Sequence, residues 1–261
     1  MSLPLPPEHA QALQNAKRLL EHPGLAARFS NTIASPIDKG LAMLPDSARG
    51  TILKLSHNAL KTALNTALYS MGNDQQPASN LLHKASVAMS GAAGGVFGLA
   101  ALAIELPVST TIMLRSIADI ARSEGEDLDS PDVRFACLEV FALGGPGSED
   151  DAAETGYFGV RAALAGVISD AARYAASSGV ASEGAPILMR LISQIAARFS
   201  IPVTEKAAAQ AIPIVGAAGG ALINTLFMDH FQGIARGHFV VRRLERVYGT
   251  EMVRHTYTSL S

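Results

Sequence analysis

Asp46–Met71, DSARGTILKLSHNALKTALNTALYSM, is the stretch whose reading decides the fold. Ile52, Leu55, Leu60, Leu64 and Leu68 recur at helical spacing, so they fall along one side of a 3.6-residue spiral. Asp46 stands where an N-cap belongs, its carboxylate able to accept from the first free N–H groups. The stretch predicts an amphipathic helix over 46–71. No alternating strand pattern of useful length occurs anywhere in the chain.

Working outward, Gln11–Leu20 predicts a short helix stopped by Pro23-Gly24, and Gly72–Ser79 is a loop with Asn73, Asp74 and Pro77. A small-residue helix is expected over Asn80–Glu105 and a second from Pro107 to Ser123. Pro at a helix's first turn is tolerated and inside it disruptive, which is why the break is placed there. Ser123–Pro131 is an acidic loop, and Asp132–Leu143 a short helix closed by Gly144-Gly145-Pro146-Gly147. Asp150–Ser178 reads as a long alanine-rich helix whose leading Glu149, Asp150 and Asp151 suit its positive N-terminus. Ala185–Ser200 and Val203–Ala211 follow. The last long helix runs from about Pro213 to Tyr248 and ends at Gly249, the residue expected just past a helix end.

Composition agrees. The 261 residues include 44 alanines, the best helix former, and few β-branched or aromatic residues. Hydrophobic residues make up 48% and charged residues 17%, which excludes a disordered chain. The expectation is an all-α bundle forming one helical domain over 1–261, with two Gly/Ala-rich central helices and a long C-terminal helix. A net charge of −2 and a pI near 6.4 argue against a generic nucleic-acid binder. One cysteine, Cys137, excludes an internal disulfide framework and a cysteine-based metal cluster.

Met1–Leu20 has prolines at 4, 6 and 7 and an acidic Glu8 in place of a basic leader and apolar run, so the expected compartment is the cytoplasm. Ala85–Ile104 and Ala207–Met228 carry no charge over 20 and 22 residues, the length of a membrane span. Alanine, glycine and serine lower the hydrophobicity of the first, and Pro213 interrupts the second. Both are therefore expected as buried helices of a soluble body, with a true transmembrane helix and a helix able to bury itself in protein or in lipid as the alternatives. Gly91 and Gly95, Gly94 and Gly98, and Gly216 and Gly220 are four apart and share a helix face, where tight helix packing is the plain explanation and lipid contact the sharper one. No phosphate-binding glycine motif is present.

Gly91-Ala92-Ala93-Gly94-Gly95 recurs letter for letter at Gly216–Gly220, and Ile120-Ala121-Arg122 at Ile234–Arg236, offsets of 125 and 114. A pseudo-duplication and coincidence in Ala/Gly-rich sequence both remain open. Charge is segregated: Glu105–Glu154 holds twelve acidic and three basic residues, and Arg236–Ser261 five arginines against two glutamates. Either these surfaces attract each other within the fold, or Arg236, Arg242, Arg243 and Arg246 face anionic headgroups or an acidic partner.

On the helix after Pro107, Arg115 and Asp119 are expected to pair on a solvated face, or to form a groove wall with Glu105 nearby and Arg115 aimed at an anion. On the C-terminal helix, Asn224, His238 and Arg242 share a mixed stripe with Met228 and Phe231. His230 and His238 lack metal-ligand spacing and read as satisfied interior histidines. No nucleophile motif is present, and no cofactor or metal is expected.

Glu105–Arg122 (ELPVSTTIMLRSIADIAR) followed by Gly125–Leu128, Arg134–Gly144 (RFACLEVFALG), and Ile223–Gly249 with Asn224, Phe231, His238, Arg242 and Arg243 resemble the EcsC protein family, over about 105–249. The resemblance implies a bacterial, helical protein, cytoplasmic or membrane-peripheral, and no particular chemistry. Two long uncharged small-residue helices, eight methionines and a basic C-terminal helix lead separately to the expectation of a non-enzymatic protein that binds phospholipid, fatty acid or another apolar ligand peripherally on the inner membrane. Arg115, Arg242 and Arg243 would hold an anionic headgroup, and Met113, Phe97, Phe227, Met228 and Phe231 would line an apolar slot. One alternative is a helical adaptor of a transport or secretion machine, docking through Glu124, Glu126 and Asp127. The other is a hydrolase or metal enzyme using Glu105, Asp119, His230 or His238.

Overall fold

In the helix that follows Pro45, Ile52, Leu60 and Leu64 are fully buried, Leu55 and Leu68 pack from the flanks, and Ala59, Ala63 and Ala67 fill the stripe between them. The computed structural model describes residues 5–21, 24–33, 36–70, 98–144, 156–178, 184–212 and 217–260. Among these are ten helices and no strand: α1 (Pro7–Glu21), α2 (Leu25–Ile33), α3 (Ile37–Met43), α4 (Ala48–Tyr69), α5 (Gly98–Ser123), α6 (Pro131–Leu143), α7 (Tyr157–Ser178), α8 (Pro186–Ala211), α9 (Ala217–Tyr248) and α10 (Thr250–Ser259). The chain is an all-α bundle. Phe97, residues 80–97 of the helix expected over Asn80–Glu105, the Gly91/Gly95 pair, Gly94, Gly216 and the five-residue echo's first copy lie outside the described residues.

Three expectations on element boundaries need correction. The N-cap of α4 is Ser47, which makes no side-chain cap hydrogen bond, and Asp46 precedes it. Pro107 does not divide two helices but lies within α5, and Pro202 lies within α8, where two helices were expected. Interior proline costs about 3 kcal/mol through the missing N–H and the ring's clash. Continuous packing offsets this in both. In α5 one buried stripe (Leu102, Leu106, Thr110, Met113, Leu114, Ile117, Ala121) runs straight past Pro107. On the turn after the proline, Ser109 Oγ donates to Leu106 O at 3.2 Å and Thr111 Oγ1 to Pro107 O at 2.9 Å.

α8 is the central helix, packed against α2, α3, α4, α5, α6, α7 and α9, while α4 lies on α5 and α1 on α9. α3 reaches α8 at Gly40, where a Cβ would come 2.1 Å from the Ala208 carbonyl oxygen. One connected core runs from Leu5 to Tyr257. Gly249 takes φ +82° and turns the chain from α9 into α10, as its place after the long helix predicts. The uncharged stretch 207–228 is not one rod: it closes α8 and opens α9. α8 is the described helix long and apolar enough to cross a membrane by length and composition. It carries the fully buried Lys206 and lies among seven neighbouring helices.

Candidate functional site

Two polar networks are built into the interior. The first joins α5, α8 and α9. Lys206 on α8 is fully buried; its ammonium forms an ion pair with Glu105 and lies 4.7 Å from the centre of the Phe227 ring. Gln210 Nε2 donates to the other oxygen of Glu105 at 3.5 Å. Burial pulls the Lys206 ammonium below its usual range, and Glu105 works against that shift.

The second network joins α6, α7, α9 and the acidic loop. Arg161 holds Glu245 through two hydrogen bonds of 2.8 and 2.9 Å. Arg242 holds Glu126 through bonds of 2.7 and 3.3 Å, Arg246 joins the same carboxylate, and Arg243 pairs with Glu124 at 2.9 Å. Between these pairs lie Tyr157, whose hydroxyl is 2.9 Å from Nδ1 of His238, and Glu139, 3.8 Å from Nε2. Burial pushes the Glu139 carboxyl up to about 7, with Arg161 and Arg242 opposing. Burial, helped by the same two arginines, holds His238 well below the ordinary histidine range. The imidazole is therefore neutral near pH 7, and its approach to Glu139 is not an ion pair. Nε2 of His238 is buried without a hydrogen-bond partner among the described residues. An open notch of about 200 Å³, lined by Arg242, Glu245, Arg246 and Thr250, borders this network.

The sequence-predicted residues are dispersed over both networks and the core. Arg115 and Asp119 do not pair: Arg115 Nη2 donates to Ser70 Oγ at 3.1 Å, at the end of α4, and the exposed Asp119 pairs with Arg122 at 2.8 Å. One turn separates the two side chains, but Arg115 points along the α4 seam and Asp119 into water. His230 Nε2 meets the Gly144 carbonyl at 2.7 Å, and burial lowers its pKa. Phe227 and Phe231 belong to a ring cluster, Phe231 lying 5.2 to 5.5 Å from Phe227, Phe141 and Phe199. Met113 is buried in the core, and Met228 and Asn224 are half-buried on α9. The charge segregation of the sequence is resolved inward, since Arg242, Arg243 and Arg246 meet Glu124 and Glu126.

Lys206, Glu139, Tyr157 and Arg161 were not singled out from sequence. Glu139 had a visible signal, a lone carboxylate in the apolar run RFACLEVFALG, and Lys206 a similar one before Ala207-Ala208-Ala209. Among the described residues no three His, Cys, Asp or Glu side chains are grouped to hold a metal.

Helices throughout, with ionic networks enclosed between them, define an all-helical bundle protein with a polar interior. The chain belongs to the EcsC protein family, whose model matches residues 8–244 and so covers nearly its whole length. No curated protein and no solved structure matches it.

Proposed function

We propose that the chain is a peripheral membrane protein that lies on the inner face of a membrane and handles lipid at one end of its bundle, without chemistry of its own. The observation that supports this best is the make-up of that end. Ile104 is 66% exposed, Leu222 44% and Ile201 40%. Each lies within five residues, along its own helix, of the Glu105–Lys206–Phe227 contact. The described residues 98–104 and 217–228, which include Ile104 and Leu222, carry no charge. Exposed aliphatic side chains beside a neutralised Glu105–Lys206 pair fit the boundary between headgroups and acyl chains.

Phe227 and Phe231 pack on other rings, so acyl-chain contact is assigned to this outer end and not to an internal slot. An adaptor docking through its acidic loop draws less support, because Glu124 and Glu126 are already held by arginines. Glu105, Asp119, His230 and His238 each have different partners, which gives a hydrolase no shared centre.

Co-sedimentation with phosphatidylethanolamine–phosphatidylglycerol vesicles tests the proposal. The wild-type chain should pellet with the vesicles. A double variant, Ile104→Asp with Leu222→Asp, should stay largely in the supernatant with an unchanged circular dichroism spectrum. A wild-type chain that remains soluble beside every vesicle overturns the reading.

A further inference from the structure

The α3–α4 corner carries cations that no described carboxylate pairs with. α4 has Arg49, Lys54 and Lys61 and no acidic residue in its 22 positions. Lys39, Arg49 and Lys54 are exposed, and Lys61 is half-buried. Residues 37–69 hold these four cations against two anions, Asp38 and Asp46, and none of the four is in an ion pair with a described residue. The C-terminal arginines differ, since Arg242, Arg243 and Arg246 each hold a glutamate.

Aliphatic side chains stand in water between these cations. Met43 is 53% exposed, and Leu41 and Leu53 are exposed beside Lys39 and Lys54. We infer that this corner is the surface through which the chain engages anionic lipid headgroups, with Lys39, Arg49 and Lys54 at the phosphates and Leu41, Met43 and Leu53 below them. The inference rests on the membrane reading above and adds which face docks and which lipid it selects.

The fold places the corner where that reading needs it. Gly40, next to Leu41, is locked against Ala208, two residues from Lys206 and so beside the bundle end that exposes Ile104 and Leu222. The acidic loop follows Ser123, 18 residues beyond Glu105 on α5. That is about 27 Å along the helix at 1.5 Å per residue. An anionic surface thus meets unpaired cations at the corner, while the arginines at the far end are already held by Glu124, Glu126 and Asp129. Aliphatic groups set among the cations favour a bilayer, into which they can sink, over a purely acidic macromolecule.

The test uses the full chain with phosphatidylcholine vesicles, with and without phosphatidylglycerol. Binding should require phosphatidylglycerol and weaken with salt. The triple variant Lys39→Gln, Arg49→Gln, Lys54→Gln should bind on the order of 100-fold more weakly, from about 1 kcal/mol per cation near the surface. Leu41→Ser with Met43→Ser should remove the part of binding that survives high salt. If the wild type binds but the triple variant binds equally, the corner is not the docking face and the membrane reading stands without it. Equal affinity of the wild type for soluble polyglutamate assigns the corner to an acidic macromolecule and overturns the lipid assignment. No vesicle binding at all removes both proposals.

Discussion

Glu139 is enclosed by α6, α7 and α9 and faces Tyr157, His238, Arg161 and Arg242, with Glu245 held next to them. Its carboxyl keeps a proton up to about pH 7 in the folded protein, against an ordinary value of 4.5. Between these values the folded state binds the extra proton, so the contribution of this group to stability is full below about 4.5 and lost as pH rises through 7. Glu205, raised to about 7 by burial, acts in the same direction. His230 and His238, held below the histidine range, act in the opposite one: their contributions are full above the ordinary histidine pKa and lost on acidification. Glu139→Gln removes one contributor from this balance. Urea unfolding at pH 5 and pH 8 should show the variant gaining about 3 kcal/mol on the parent between the two, since each tenfold change in proton affinity is worth about 1.4 kcal/mol. A difference that stays flat with pH contradicts the buried-carboxyl account. At this scale the sequence was least informative. Lysine and glutamate are mostly exposed residues, so the apolar flanks of Glu139 and Lys206 were too weak a signal to set them apart until α6 and α8 were seen to be enclosed.

Helix existence was legible because the apolar spacing of 46–71 and the alanine content both point the same way. Boundaries were not, at Pro107 and Pro202. Proline's local preference is to break a helix, and only the long-range packing of the Leu102–Ala121 and Leu188–Ala209 stripes shows that the turns on either side hold it in one rod. α2, α3 and α10 are nine, seven and ten residues long, too short for periodicity to declare itself. α3 matters most, since it carries Leu41 and Met43 and is positioned by Gly40 at its closest approach to α8. Gly40→Ala drives a methyl group into the Ala208 carbonyl and should lower stability by roughly 1–3 kcal/mol while also weakening vesicle binding. Gly166→Ala on the exposed side of α7, where no atom lies within 4 Å of the added carbon, should raise stability by about 1 kcal/mol. Thermal unfolding of both proteins checks the pair, and equal shifts would mean that the α3–α8 contact is looser than described.

Across the whole molecule the charge pattern has two components, and only one was read from sequence. The acidic loop and the basic end of α9 were visible as complementary blocks, and they meet through Glu124 and Glu126. The cations of the α3–α4 corner were not visible as a group, because four basic residues spread over a short helix and an amphipathic one form no run. They become a surface once α3 is folded onto α8. The result is an uneven molecule, with unpaired cations and exposed aliphatic side chains at one corner and, about 27 Å along α5 from Glu105, an acidic loop whose Glu124, Glu126 and Asp129 are held by arginines. Membrane docking would use the unpaired corner to fix orientation.

The most direct measurement is the environment of Met43 itself. Cys137 is buried and its thiol pushed well above the ordinary range, so an added cysteine labels selectively. A nitrobenzoxadiazole label on Met43→Cys should brighten and shift to the blue when phosphatidylglycerol vesicles are added, while the same label on Asp127→Cys in the acidic loop should not change. A silent label at position 43, or a larger response at 127, contradicts the account.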